Sequence, residues 1–197
     1  MEILVQPMGT YQTNCYIVRI EGKEIIIAPG VGATEWVLSH VSNPVAILNT
    51  HGHFDHVWSN HALQTALNIP LYTPKGDVFL LQGSSWMPGL PPSTPDVEVD
   101  GDQSFEIGGI GVTFHHFPGH CPGCSMIEIG DALFSGDFLF HNSIGRVDFP
   151  YSDPSAMKES LQKFARMEND KTLYPGHGGT TSVKAEQRHV PYWLQAI

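Results

Sequence analysis

The sequence predicts one α/β domain, and three observations carry that expectation. At 197 residues and 41% apolar content, the chain is long enough to bury one substantial core. Twenty glycines and 15 prolines suit a loop-rich fold containing sheet better than a helical bundle. Short apolar runs alternate with segments of helical spacing, and no repeat, linker or low-complexity tract interrupts them. The expected domain spans residues 1–197.

The elements follow in order. Glu2–Pro7, Cys15–Ile20 and Glu24–Ala28, each bounded by glycine or polar breaks, read as strands. Trp36–His40 belongs to a first helix, and Val45–Leu48 is a short buried strand running into NTHGHFDH. Val57, Ala62, Leu63, Ala66 and Leu67 have helical spacing, closed by Asn68 and Pro70. Leu71–Tyr72 is a short strand. Residues 83–95, GSSWMPGLPPSTP, read as a loop that exposes Trp86, Met87 and Leu90. Ile110–His116, Ser125–Ile129 and Ala132–Phe134 are further strands. Pro154–Met167 is a helix with Asp153 or Ser152 as its cap and Pro154 in its first turn. Leu173–Tyr174 is a last strand before PGHGG, and Val183–Leu194 closes the chain as a helix.

Charge and composition narrow the function. A formal net charge of −10 repels a phosphate backbone, which disfavours nucleic acid as the main partner. MEILVQPMG lacks the basic and apolar regions of a signal peptide, and no run approaches the ~20 apolar residues that span a bilayer. Three cysteines, an odd number, do not make a disulfide framework. The expected setting is a reducing cytoplasm.

The strongest local signal is THGHFDH, residues 50–56. Side chains alternate along an extended segment, so His51, His53 and Asp55 are expected on one side, with His56 coming round as the backbone turns into a helix. Three imidazoles and a carboxylate suit a borderline transition metal, of which zinc is the commonest match. Further donors follow apolar runs and have glycine beside them: His120 after FPG, Asp137 in FSGDFLF and His177 in YPGHGG. One tetrahedral zinc uses three or four ligands. Seven candidates therefore argue for two ions sharing a carboxylate, a hydrolytic design in which the ions stand about 3.5–4 Å apart.

These motifs in this order resemble the metallo-β-lactamase superfamily, and within it the hydroxyacylglutathione hydrolase (glyoxalase II) group. The resemblance runs from about Gly9 to Leu194, and SIGRVDFP at 143–150 is similar to the GRTDFP segment of short bacterial glyoxalase II-like proteins. It implies a four-layer αββα sandwich with the metals at one edge of the sheets. It also implies that His51, His53 and His120 bind one ion, that Asp55, His56 and His177 bind the other, and that Asp137 bridges them. His120 is then the working residue of FPGHCPGCS. Cys121 stands where the family usually has threonine or serine, a position from which it could line the site and be open to oxidation. A lone Cys-x-x-Cys is weak support for a zinc knuckle, and a thioredoxin-like context is missing.

The implied chemistry follows from charge. Two zinc ions (+4) against Asp55, Asp137 and a bridging hydroxide (−3) leave a local balance of about +1, so a small anionic substrate can enter. Metals lower the pKa of bound water from about 15.7 toward about 7. The hydroxide would attack an ester or thioester carbonyl while a metal stabilises the developing oxyanion. Asp55 would be the catalytic residue that orients the nucleophile. Iron or manganese could replace zinc, since imidazole and carboxylate serve all three.

Two departures bear on specificity. Ala28-Pro29-Gly30 stands where the family often has Asp-Pro-Gly, whose aspartate supports the ligand shell. The C-terminal helical domain with which full-length glyoxalase II grips glutathione is not expected in 197 residues. Arg146 and Trp86 are candidate substrate contacts, although an internal Arg146–Asp148 ion pair supporting the metal loop is an equal alternative. The 83–95 loop would either shape an apolar pocket or pack on the surface. His115 and His116 alternate on a strand, which lets one of them face inward, but such histidines more often satisfy the backbone or meet solvent; His40, His61, His141 and His189 match no ligand position. The alternatives are a persulfide dioxygenase with one iron at His51, His120 and Asp137, and a lactone hydrolase. A β-lactam hydrolase is disfavoured because the best-known zinc β-lactamases have cysteine where Asp137 stands. A non-catalytic metal module is poorly motivated by an intact ligand set.

Overall fold

The computed structural model describes residues 1–83 and 87–197. The first half of the chain builds one six-stranded sheet: β1 (Glu2–Met8), β2 (Thr13–Ile20), β3 (Lys23–Ile27), β4 (Pro44–Leu48), β5 (Leu71–Pro74) and β6 (Val97–Val99), side by side in that order. The first three strands form an antiparallel meander, and β3 to β6 run parallel. Parallel neighbours need crossovers. These are α1 (Ala33–His40), the pair α2 (Phe54–Val57) and α3 (Asn60–Leu67), and a 3-10 helix over Lys75–Gln82. The second half supplies β7 (Gln103–Ile107), β8 (Ile110–His116), β9 (Ser125–Ile129), β10 (Ala132–Gly136), a ribbon of β11 (Leu139–Phe140) and β12 (Ser143–Ile144), then α4 (Pro154–Ala165), β13 (Thr172–Pro175), β14 (Thr181–Ser182), α5 (Val183–Gln187) and α6 (Val190–Ala196). Its large sheet has the order β14-β13-β10-β9-β8-β7.

Strand periodicity explains the layering. Ile25 and Ile27 of β3 face the same inner core as Val112, Phe114, Ile127 and Phe134 of the other sheet. Ile26 faces the opposite way, onto Val37 of α1 and Leu63 of α3. Leu133 of β10 likewise faces outward, onto Leu161 and Phe164 of α4. Strands buried on both faces read as continuous apolar runs, such as Ile25-Ile26-Ile27. The result is the expected αββα sandwich. No helix among the described residues is long and apolar enough to cross a membrane.

Several local expectations change. The helix expected from Val57 is split, because Ser59 leaves the helical course and ties back to the 29–30 turn: its N–H donates to Pro29 O (3.0 Å) and its hydroxyl to Gly30 O (2.7 Å). The closing helix is likewise two pieces, with Pro191 in the first turn of α6, where its missing N–H costs nothing. The expected loop exposure is also corrected. Met87 and Leu90 are 2% and 6% exposed, held inside by their apolar side chains, while Trp86 lies outside the described residues. The strands β6, β7, β11 and β12 and the 3-10 helix were not expected from sequence. Each is short, and β7 carries mostly polar exposed residues.

Candidate metal centre

Four strand ends deliver the site. The chain leaves β4 through Asn49, whose buried side chain exchanges hydrogen bonds with Asn60 of α3 (2.9 and 3.2 Å), and Thr50, whose carbonyl accepts from Ser125 N across the two sheets (2.8 Å). His51 follows at a bend in the chain, and His53 follows in extended conformation. His53 is the residue before α2, so the alternation ends there. Asp55 and His56 sit in the first turns of α2, which corrects the expected row of His51, His53 and Asp55 on one side. His120 comes after β8, Asp137 from the end of β10 and His177 after β13. Gly176 N donates to Gly136 O (2.8 Å), which sets the last two loops side by side. A Cβ on Gly176 would run into Asp137 Oδ1, so only glycine fits there.

Seven side chains from these loops form three overlapping groups, within each of which the possible donor atoms lie within 4.8 Å of one another: His51, His53 and His120; His51, His56 and Asp137; and Asp55, His56 and His177. Asp137 lies between the outer two. Its Oδ1 is 3.2 Å from His56 Nε2, and its Oδ2 is 3.6 Å from His120 Nε2 and 3.4 Å from His177 Nε2. Asp55 Oδ2 is 3.4 Å from both His56 Nε2 and His177 Nε2.

The second ring nitrogens are anchored. His120 Nδ1 lies 2.8 Å from Arg146 O and His177 Nδ1 lies 3.0 Å from Tyr11 O. A carbonyl only accepts, so each Nδ1 carries a hydrogen and Nε2 is the ring atom turned to the centre. Three buried ring nitrogens, His51 Nε2, His56 Nδ1 and His120 Nε2, have no hydrogen-bond partner among the described residues. Buried polar atoms without partners are costly. Converging imidazoles and carboxylates supply the donor chemistry that divalent ions take, so the residues present fit such ions.

Electrostatics separates the two ends of the cluster. Burial, reinforced by the charge of His56, holds His51 well below the ordinary imidazole range, and burial together with His120 brings His53 down to about 3. Burial alone would do the same to His177, yet hydrogen bonds to Asp137 and Asp55 raise it to about 10. Burial opposes ionisation of Asp55 too, but the charge of His56 and the hydrogen bond with His177 bring it to about 2. His51 and His53 are thus held neutral at one end of the cluster, and the Asp55–His177 end is charged.

The centre opens into a cavity of about 620 Å³. Tyr11, Phe54, Phe140, Ile144 and Phe149 give it an apolar wall, and Arg146 is its one arginine or lysine among the described residues. Arg146 pairs with Asp148, its Nε and Nη2 donating (2.8 and 2.7 Å), but both side chains are exposed where an internal pair was expected; its guanidinium lies 4.3 Å from the Phe149 ring centre. Met87 and Leu90 do not line this cavity.

Other expectations are corrected at this point. Cys121 does not line the site. It is buried with Cys124 in the outer core, both are free thiols, and burial pushes the Cys121 thiol up. His115 and His116 follow the more usual of their two expected courses, away from the centre: His115 Nε2 is 3.0 Å from Glu128 Oε2 and His116 Nε2 is 2.9 Å from Pro122 O. Ala28 is buried in the inner core at φ 52 and brings no carboxylate to the ligands. Sequence reasoning missed Thr13, whose hydroxyl donates to Asp55 Oδ2 (2.7 Å), and Tyr11, whose carbonyl orients His177. It also missed Asp77, buried beneath two of the ligand loops. None of the three has a neighbouring motif that marks it.

Known proteins are similar to this chain in sequence and fold. Residues 8–177 match the model of the Metallo-beta-lactamase superfamily. The hydroxyacylglutathione hydrolase GloC of Haemophilus influenzae is 28% identical over 207 residues, covering 98% of each chain. The crystal structure of BLEG-1 B3 metallo-beta-lactamase superposes with a TM-score of 0.87 at 31% identity, covering 98% of this chain and 99% of the other. TTHA1623 in a di-iron-bound form superposes with a TM-score of 0.83 at 32% identity, covering 96% and 99%. With the sandwich, the His and Asp cluster at its sheet edge and a family match over residues 8–177, this chain belongs to the metallo-beta-lactamase superfamily of metal-dependent hydrolases.

Proposed function

We propose that the chain hydrolyses a small acyl thioester or ester with two divalent ions, zinc foremost. His51, His53 and His120 would hold one ion, Asp55, His56 and His177 the other, and Asp137 would bridge them. The position of Asp137 carries this reading, since its carboxylate reaches both donor groups. When bound, such ions acidify water and polarise a carbonyl oxygen.

The chain's own residues do the rest. Asp55, kept ionised and oriented by the Thr13 hydroxyl, would accept a hydrogen bond from the attacking water and align it. The carbonyls of Arg146 and Tyr11 hold His120 and His177 in the donor tautomer. The aromatic wall would take the acyl group and exclude water from it. Arg146, with one guanidinium edge committed to Asp148, would use the remainder to meet an anionic group of the substrate. A thiolate leaves readily, so little general-acid assistance is needed. The similarity to GloC supports a thioester, and the lack of a lysine in the described cavity wall argues against tight binding of the two carboxylates of glutathione. Free buried thiols fit a reducing, cytoplasmic setting.

The test is metal content of chain purified without chelators, followed by turnover assays. About two zinc ions per chain and hydrolysis of acyl thioesters are expected from the dinuclear design. About one iron per chain, with oxygen uptake on a persulfide, would replace this reading with the dioxygenase. Preferential cleavage of a chromogenic β-lactam would replace it with β-lactam hydrolysis.

A further inference from the structure

One buried carboxylate touches the centre's scaffold without belonging to the seven donors. The 3-10 helix Lys75–Gln82 inserts Asp77, 0% exposed, between the loop carrying His51 and His53 and the loop carrying His120. Gly52, between the two histidines, donates its N–H to Asp77 Oδ2 (2.9 Å). In the other loop, the Cys121 thiol donates to the same oxygen (2.9 Å) and Gly123 N donates to Oδ1 (2.6 Å). The contact is tight on both sides. A Cβ on Gly52 would stand 2.8 Å from Asp77 O, and one on Gly123 would stand 2.8 Å from Asp77 Cγ. None of the hydrogen bonds of Asp77 goes to Asp55, His56, His177 or the loops beyond β10 and β13.

We propose that Asp77 is a positioning residue for one metal site only: it clamps two loops so that His51, His53 and His120 converge, and it leaves the Asp55–His56–His177 site to other supports. All three partners are donors, so only a carboxylate satisfies them together. An asparagine has nearly the same volume but turns an NH2 group against one of the glycine N–H groups and releases that loop. The 3-10 helix is therefore part of the metal centre although it supplies no ligand. Supporting groups of this kind tune metal affinity by about 10–100-fold. The inference rests on metal binding by the seven-residue cluster and not on any reaction.

Zinc affinity, read by competition with a chromophoric chelator, tests it in two parent chains. His177→Ala isolates the His51–His53–His120 site, and His53→Ala isolates the other. Asp77→Asn is expected to weaken zinc binding by about 10–100-fold in the first parent and to leave the second unchanged. Circular dichroism of the metal-free chain checks that each variant folds. If Asp77→Asn does not fold, Cys121→Ala takes its place, with a smaller loss expected in the first parent only and full retention in Cys121→Ser. Equal weakening in both parents, or an unchanged first parent, overturns the assignment. An unsubstituted chain that binds no zinc overturns the metal centre itself, and this inference with it.

Discussion

At the residue scale, protons and metal ions compete for the same atoms. His177 sits at about 10 against an ordinary 6.5, and Asp55 at about 2 against 3.8. A raised histidine contributes stability that is complete below pH 6.5 and is lost as pH rises through about 10. A depressed carboxylate contributes stability that is complete above pH 3.8 and is lost as pH falls through about 2. Chelator-stripped chain is therefore expected to lose thermal stability from pH 6.5 to 9. Zinc-loaded chain, with a metal in place of those protons, is expected to hold its midpoint. Melting curves of both forms across that range check this, and parallel declines would contradict it. The ligand candidates were readable in sequence because four of the seven lie within HGHFDH and the others sit in short glycine-marked motifs. Asp77 was not readable, because its partners come from 25 and from 44 to 46 residues away.

At the element scale, caps and breaks decide how the loops are aimed. Asp153 caps α4 by accepting from Ser155 N (2.8 Å) and Ala156 N (3.1 Å), while Ser152, the other candidate cap, donates its hydroxyl to His120 O (2.7 Å). Asp153→Ala is expected to cost about 1 kcal/mol, read as a lowered urea midpoint at unchanged slope. A cost below about 0.3 kcal/mol would show that packing of Met157, Leu161 and Phe164 fixes the helix without its cap. The Asp-Pro signature made this helix legible. The break at Ser59 was not legible, because the 57–67 spacing is helical throughout and only the carbonyls of Pro29 and Gly30 interrupt it.

At the scale of the whole molecule, the two sheets hold four strand ends at one edge. Phe134 fills the space between them, 5.1 Å from the Tyr16 ring and stacked 5.2 Å from Tyr174. Tyr16 in turn donates its hydroxyl to Pro175 O (2.6 Å), directly before Gly176 and His177. Phe134→Ala is expected to cost about 3–5 kcal/mol of unfolding free energy, measured by denaturant titration of metal-free chain. A cost under about 1 kcal/mol would mean that the inter-sheet core can collapse around the cavity. By itself the sequence determined the alternation of elements, the doubly buried strands and the seven candidate donors, since periodicity and short motifs are local properties. Only the tertiary structure decided that Asp55 and His56 enter on a helical turn and that Thr13 and the carbonyls of Tyr11 and Arg146 hold the candidate donors. It also decided that Met87 and Leu90 turn inward and that a 3-10 helix braces the ligand loops. Those outcomes depend on contacts between segments distant along the chain, and these form only when the two sheets close on each other.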